Sequence, residues 1–144
     1  MNSPRVYDII HAEDDADDIL FFSLAIEEIN VPVKIRHAKD GDVLFQLLHQ
    51  SIPDLLFLDI HMPCKNGIAC VEEIRRDPRY DLMPILMITS NDFEALVENA
   101  KNLGANMYIQ KPNTFDDLVE KLRYIFSVDW SKEIKERSIL NFVI

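Results

Sequence analysis

A chain of 144 residues is long enough for one domain with a hydrophobic core and too short for two of ordinary size. With 48% hydrophobic residues, 28% charged residues and 3 glycines, the composition excludes disordered, collagen-like and disulfide-rich classes. The formal net charge of −10 disfavours nucleic acid and anionic membranes as partners, so we expect protein partners.

The chain has no apolar run near the roughly 20 residues that a membrane-spanning helix needs. The opening residues, MNSPR, lack the apolar core of a signal peptide. We therefore predict a cytoplasmic protein. Cys64 and Cys70 are too few for a disulfide framework and too far apart for a C-x-x-C pair, so both are predicted to be free thiols.

Short apolar runs alternate with longer amphipathic segments five times along the chain. In the segments, apolar residues recur at helical spacing, as Phe22 and Ile26 do in the first and Leu118 and Leu122 in the last. Because this alternation is typical of βαβ units, we predict an α/β fold with five βα units around a doubly wound parallel sheet. The predicted strands are 6–12, 33–38, 55–59, 84–89 and 107–109.

The pattern changes near residue 128. We predict one domain over residues 1–128 and a C-terminal extension over residues 129–144, because no Pro-, Gly- or Ser-rich linker occurs earlier. The extension begins with polar residues that could form a short helix and ends in the apolar sequence SILNFVI. An apolar end of this kind needs cover, which docking on its own domain, a contact in a homodimer or another partner would provide.

Polar residues stand where the predicted strands end. Glu13 and Asp14 follow the first strand, Asp59 ends the third, Thr89 ends the fourth and Lys111 follows the fifth. In an open parallel sheet, ligands bind beyond these carboxyl ends. Carboxylates gathered there would repel one another unless a cation compensates them, and Mg²⁺ with oxygen ligands fits that need.

The same residues predict a chemistry. A carboxylate beside Mg²⁺ and an ammonium group can attack a phosphoryl donor and become an acyl phosphate, with Asp59 as the nucleophile. Lys111 and the Thr89 hydroxyl would meet the charge that develops on the phosphoryl oxygens. Asp17 and Asp18, in contrast, are interpreted as solvated acids of a helix start, and His11 as an ordinary strand residue.

Four motifs follow one another in the chain: AEDD, FLDIHMPCKNG, LMITSND and YIQKP. In this order they resemble the receiver domain of bacterial response regulators over roughly residues 6–127. The resemblance implies a flavodoxin-like, CheY-like sheet with strand order 2-1-3-4-5. It also implies a stand-alone regulator, and the run EDDADD together with the C-terminal extension favours the phytochrome-associated type over the chemotaxis type.

The resemblance further implies a role for each matching residue. The metal ligands would be Glu13, Asp14, Asp59 and the backbone carbonyl of His61. Asp59 would be the phosphoacceptor, assisted by Lys111 and Thr89, and Thr89 and Tyr108 would form a switch pair, although Tyr108 also fits plain strand packing. The peptide before Pro112 would be cis, and His61 and Asn91 would tune the lifetime of the acyl phosphate.

By resemblance, the protein would take a phosphoryl group from a histidine kinase with Mg²⁺, or Mn²⁺, and signal to a downstream protein. It would be a phosphoacceptor rather than an enzyme with a substrate of its own. A phosphatase with an aspartate nucleophile is disfavoured, because His61 stands where such enzymes place a second aspartate. A degenerate receiver that serves only as a dimerisation scaffold is disfavoured, because the acids, Thr89 and Lys111 are all present.

Overall fold

A sheet of five parallel strands organises the computed structural model, which describes residues 5–90, 94–136 and 141–144. The order across the sheet is 2-1-3-4-5, which confirms the predicted fold class and strand order. Asp59 lies one position beyond the third strand instead of ending it. In chain order the strands are β1 (Tyr7–Ala12), β2 (Val33–Ala38), β3 (Leu55–Leu58), β4 (Ile85–Thr89) and β5 (Met107–Gln110).

Polar side chains fix the starts of several helices. Asp15, Asp40, Asn66 and Thr114 each accept a hydrogen bond from a backbone N–H three residues ahead, which satisfies a donor that the first helical turn leaves unpaired. The helices are α1 (Ala16–Glu28), α2 (Gly41–Gln50), α3 (Gly67–Arg75), α4 (Glu94–Leu103), α5 (Phe115–Ser127) and α6 (Trp130–Glu136). Among the described helices, none is both long and apolar enough to cross a membrane.

Two hydrophobic layers cover the two faces of the sheet. Ile10 belongs to the layer beneath α2, α3 and α4, whereas its neighbour Ile9 belongs to the layer beneath α1 and α5. Leu56 and Phe57 divide between the same two layers. Strands buried on both faces read as continuous apolar runs, which is why these runs were recognisable in the sequence. The rigid sheet leaves its carboxyl ends as the place where polar residues can meet.

The C-terminal residues lie against the body of the same chain. In α6, the Trp130 ring is buried and its Nε1–H donates to the Ile125 carbonyl oxygen at 2.9 Å. Residues 141–144 run parallel to β5, where the Tyr108 N–H donates to the Phe142 carbonyl at 2.7 Å and the Ile144 N–H donates to the Tyr108 carbonyl at 3.0 Å. These residues therefore pair with the outer edge of β5, which an open sheet would expose.

Candidate functional site

Glu13 and Asp59 are brought together by the pairing of β1 with β3. Ala12 and Leu58 are partners in that pairing, so the residues that follow them emerge side by side. The Asp59 N–H donates to the Ala12 carbonyl at 3.0 Å, and the Glu13 N–H donates to the Ala38 carbonyl at 2.9 Å, which extends the ladder past the strand ends. Both acidic side chains are buried, with Glu13 1% exposed and Asp59 4% exposed.

Three acids form a cluster at this rim. Carboxylate oxygens of Glu13, Asp14 and Asp59 all lie within 4.8 Å of one another, and Asp14 is the exposed member. Hard divalent cations take oxygen ligands of this kind, and a site that is open on one side leaves room for water or a phosphate oxygen. The donor set therefore fits a divalent metal ion.

The Lys111 ammonium group lies over the cluster and contacts three carboxylates. Its Nζ donates to Glu13 Oε2 at 3.0 Å, to Asp59 Oδ2 at 3.0 Å and to Asp18 Oδ2 at 2.8 Å. An ammonium group has three donors, so each carboxylate takes one. Burial alone would lower the pKa of Lys111, but the hydrogen bonds that its ammonium donates to Asp18 and Asp59 outweigh burial and raise the pKa, so the group stays charged.

Burial and proximity separate the acidities of the paired carboxyl groups. Burial, together with the hydrogen bond to Asp59, raises the pKa of Glu13 to about 8. Burial would also raise the pKa of Asp59, but hydrogen bonds with Glu13 and Lys111 lower it overall. Asp59 is therefore the more acidic of the two carboxyl groups and the one that ionises first as the pH rises.

The loop after β3 fixes the two oxygens of Asp59 in different surroundings. Oδ1 accepts a hydrogen bond from the His61 N–H at 3.1 Å, whereas Oδ2 faces Lys111. The loop closes where the Gly67 N–H donates to the Ile60 carbonyl at 2.8 Å. A Cβ atom on Gly67 would lie 2.2 Å from the Asp59 carbonyl oxygen, so only glycine lets α3 start this close to the acid.

Thr89 and Tyr108 lie on the neighbouring strands β4 and β5, and both are fully buried. Thr89 pairs in register with Gln110, and the Thr89 carbonyl accepts the Lys111 N–H at 2.9 Å. Thr89 therefore lies beside the backbone of Lys111. Tyr108 lies two residues back along β5, where its backbone also pairs with residues 141–144. The two predicted switch residues are thus connected through β5, which carries Tyr108 and pairs with Thr89 at Gln110.

One site prediction is wrong, and another lies outside the described residues. The Lys111–Pro112 peptide is trans, since no cis peptide bond occurs in the described part of the chain. A trans bond before proline is favoured by roughly 0.5–1 kcal/mol, and here the trans chain already delivers Lys111 to its three carboxylates. Asn91, predicted to tune the acyl phosphate lifetime, is not among the described residues, and His61 is exposed beside Asp59.

Two residues near the site were not predicted to be there. Asp18 was interpreted as a solvated helix residue. The feature that could have indicated its role is its position in the first turn of α1, the helix that follows β1 and its terminal acids. His11 is 2% exposed and its ring stacks on Phe22 at a centroid distance of 3.9 Å. Burial, with help from His37 and Lys111, lowers the pKa of His11 to about 3, so its ring is neutral. The feature of the sequence that could have indicated this position is that His11 is a polar residue inside an apolar run.

Comparison with known proteins adds an independent line of evidence. Residues 9–123 match the family model described as the response regulator receiver domain. The chain is similar to the phosphorylated cyanobacterial phytochrome response regulator RcpA, at 24% identity over 94% of this chain and 99% of that one, with a TM-score of 0.78. Against the Mn²⁺-bound form of the response regulator Rcp1 the identity is 20% over 93% and 97% of the chains, with a TM-score of 0.75.

The chemotaxis response regulator CheY4 of Vibrio cholerae is also similar, at 21% identity over 84% of this chain and 99% of that one, with a TM-score of 0.71. Identities of this size show a shared fold, whereas the family model spans most of the chain, from β1 into α5. The chain therefore belongs to the response regulator receiver domain family.

Proposed function

We propose that this protein is a cytoplasmic two-component response regulator that accepts a phosphoryl group from a histidine kinase onto Asp59. The observation that carries the proposal is the position of Asp59, whose carboxylate is ionised, lies in a cluster of acids that fits a divalent cation, and contacts the Lys111 ammonium. A carboxylate in these surroundings is equipped for phosphoryl transfer rather than for proton transfer alone. The protein is then a phosphoacceptor that assists its own modification.

Glu13, Asp14 and Asp59 would hold Mg²⁺, with the His61 carbonyl as a further ligand. A bound Mg²⁺ would neutralise part of the negative charge on the transferring phosphoryl oxygens. Mn²⁺ has the same preference for oxygen ligands, and the similar Rcp1 structure is described as Mn²⁺-bound. Two of the three carboxylates are buried, and a cation beside the cluster would favour the ionised forms that burial disfavours.

The roles of the side chains follow from their contacts. Asp59 Oδ2 forms a bond to phosphorus while the bond between phosphorus and the donor's leaving group breaks and the electron pair leaves with that group. The His61 N–H holds Oδ1, which keeps the carboxylate oriented with Oδ2 toward Lys111. The Lys111 ammonium moves from Oδ2 to the oxygens of the incoming phosphoryl group and stabilises their charge.

Phosphorylation would act on partners through β4 and β5. Thr89 is beside Lys111, and Tyr108 is in β5, the strand that Lys111 directly follows. A movement of Thr89 toward a phosphoryl group would therefore change the packing around Tyr108. Such a local charge event can bias a packing arrangement with two states. We place the contact with a downstream protein on the surface formed by α4, β5 and α5. RcpA is described as a phytochrome response regulator, and a photoreceptor kinase is the partner class to test first.

The proposal is tested by incubating the protein with Mg²⁺ and acetyl phosphate and measuring the intact mass. We expect the added mass of one phosphoryl group in the wild type, none in Asp59→Asn, and none in the wild type when EDTA removes the metal. Asp54→Asn is a control in which an aspartate at the amino end of β3 is changed. Folded wild type that gains no phosphoryl mass would support a scaffold function instead.

A further inference from the structure

The contact between Asp18 and Lys111 joins two distant parts of the sequence. Asp18 Oδ2 accepts from Lys111 Nζ at 2.8 Å, across 93 residues of sequence and from a different element than the strand tips that carry Glu13 and Asp59. The Asp18 N–H donates to the Asp15 side chain at 3.0 Å, which fixes the backbone of Asp18 in the first turn of α1. The carboxylate is therefore aimed at the site by the cap of the helix.

The three carboxylates around Lys111 do not have equivalent tasks. Glu13 and Asp59 belong to the cluster that fits a metal ion, and Asp59 also supplies the attacking oxygen. Asp18 lies outside that cluster among the described residues, so it stays available to the ammonium when the other two are engaged. Its side chain is 42% exposed against 1% for Glu13, which places this contact at the solvent-facing rim of the site.

We propose that Asp18 is a positioning residue that holds the Lys111 ammonium at the rim of the site while metal and phosphoryl donor occupy the carboxylates beneath it. This inference rests on the proposed phosphoryl transfer to Asp59. Without Asp18, the ammonium would share its donors between Glu13 and Asp59 only. It would then compete with a divalent cation for both carboxylates, and it would cover the Oδ2 atom that has to reach phosphorus.

A plain helix-start role accounts for less of the geometry. Asp17 occupies the same first turn and contributes the same favourable interaction with the helix dipole, yet it is exposed and makes no contact with Lys111. Of the three contacts of Lys111 Nζ, the one with Asp18 is the shortest, at 2.8 Å against 3.0 Å for the other two. Asp17→Asn is thus a matched control, because it removes the same charge from the same turn without removing the contact.

The first measurement is calorimetric titration of Mg²⁺ into the unphosphorylated protein. We expect the dissociation constant of Asp18→Asn to be about three- to fivefold higher than that of the wild type, the size of effect that a partly exposed ion pair supports. Asp17→Asn should stay within about twofold, because a charge outside the contact is mostly screened. Asp18→Glu, which restores the charge, should recover most of the wild-type affinity.

The second measurement is the rate of phosphorylation by acetyl phosphate at saturating Mg²⁺. For Asp18→Asn we expect the maximal rate to fall about three- to fivefold, because the ammonium covers Asp59 Oδ2 more of the time. The KM for acetyl phosphate should not rise, since a negative charge that repels the donor has been removed. This split between rate and KM is one that a mere loss of helix stability would not produce.

The outcomes separate the two proposals. If the wild type is phosphorylated and Asp18→Asn matches Asp17→Asn in both measurements, the role of Asp18 is overturned. The same holds if Asp18→Asn raises the KM and leaves the maximal rate unchanged, because Asp18 would then act on donor binding. If folded wild type takes no phosphoryl group but the calorimetric difference persists, the phosphoacceptor function fails and the positioning of Lys111 stands.

Discussion

The carboxyl-end rim and the outer edge of β5 are neighbouring regions that are stabilised by different means. At the rim, Glu13 and Asp59 are buried charges compensated by Lys111, which is an arrangement that contributes little stability compared with apolar packing. At the edge, Tyr108 forms backbone hydrogen bonds with residues 141–144, and the Phe142 side chain packs against the apolar layer. The rim gathers the charged groups of the candidate site, and the edge is held by backbone pairing and apolar packing.

The two regions meet at the adjacent residues Gln110 and Lys111. The Gln110 N–H donates outward to the Ile144 carbonyl at 3.0 Å, whereas the Lys111 N–H donates inward to the Thr89 carbonyl at 2.9 Å. The end of β5 is therefore the position where a change at the rim could reach the C-terminal residues. If the two regions are independent, damage to one of them should leave the other unchanged.

Replacing Lys111 by Met should have the largest effect. We expect the free energy of unfolding without Mg²⁺ to fall by about 3 kcal/mol, because breaking a buried ion pair leaves uncompensated carboxylates. Added Mg²⁺ should restore stability to Lys111→Met at least as strongly as it stabilises the wild type, since the ammonium no longer competes for Glu13 and Asp59. Urea denaturation with and without Mg²⁺ measures both effects.

Lys121→Met is the matched control for this prediction. The Lys121 side chain is 21% exposed, against 20% for Lys111, but its contacts are the Gln110 carbonyl at 3.1 Å and an Asp117 carboxylate at 3.8 Å that is half-exposed. We expect a loss below about 1 kcal/mol and no dependence on Mg²⁺. Equal losses in the two variants would mean that the rim charges do not depend on Lys111 for compensation.

Replacing Gly67 by Ala should damage the rim through the backbone. The new Cβ would lie 2.2 Å from the Asp59 carbonyl oxygen and 2.9 Å from the Asp59 carbonyl carbon, so the loop must move. We expect a loss of about 2 kcal/mol in the free energy of unfolding, as for other overpacked sites, together with a lower extent of phosphorylation. Urea denaturation and intact-mass measurement check the two parts.

Ala69→Gly, in the first turn of the same helix, separates helix stability from displacement of Asp59. It should lose about 1 kcal/mol through helix propensity and keep its phosphorylation unchanged. If Gly67→Ala is phosphorylated as fully as Ala69→Gly, the close approach of α3 to Asp59 has no functional importance.

The sequence was most informative where local pattern and fold agree. Burial on both faces makes the strands recognisable as apolar runs, and the rule that ligands bind beyond strand ends predicts Glu13, Asp59 and Lys111 at one rim. Gly104 directly follows α4 with a φ of +109°, a backbone conformation in which glycine commonly ends a helix. These features depend on short stretches of chain and on a regular topology.

The features that the sequence did not specify depend on distant contacts. The ion pair between Asp18 and Lys111 is decided by how α1 sits relative to the chain after β5, and the local pattern of Asp18 is that of any first-turn acid. The pairing of residues 141–144 with β5 was one of three open alternatives, since an apolar end indicates a need for cover but not which surface provides it. The isomer at Pro112 is set by a small energy difference that local sequence does not decide.

Replacing Phe142 by Ala should weaken the edge and spare the rim. Phe142 is half-buried, packs against the layer beneath α4, and lies 6.4 Å from Tyr108 between ring centroids. We expect a loss of about 1.5 kcal/mol in the free energy of unfolding, which is a fraction of the value for a fully buried phenylalanine. Val143→Ala, whose side chain is 42% exposed, should lose less than about 0.5 kcal/mol.

Phosphorylation of Phe142→Ala by acetyl phosphate tests whether damage at the edge of β5 leaves the rim intact. The extent of modification should match that of the wild type, because the charged contacts of Lys111 do not involve the C-terminal residues. A Phe142→Ala protein that is stable but poorly phosphorylated would show instead that the edge and the rim are one cooperative unit.

The smallest expected effect is on the labelling of the two cysteines. Their labelling reports whether the loop after β3 and the core beneath it open together. Cys64 is exposed in the loop after β3, whereas Cys70 is buried in α3 and burial raises the pKa of its thiol to about 11. The thiolate is the reactive form, and burial of Cys70 both disfavours the thiolate and blocks access of the reagent. Ellman's reagent should therefore label one thiol in the folded protein and two in urea.

Phe142→Ala should give the same count of one, because Cys70 is buried in α3, whereas the C-terminal residues pair with β5. Rapid labelling of both thiols in folded Phe142→Ala would mean that loosening the edge opens the core under the rim. Since Cys64→Ser leaves Cys70 as the only thiol, the same reagent applied to that variant with and without Phe142→Ala measures the opening of the core directly.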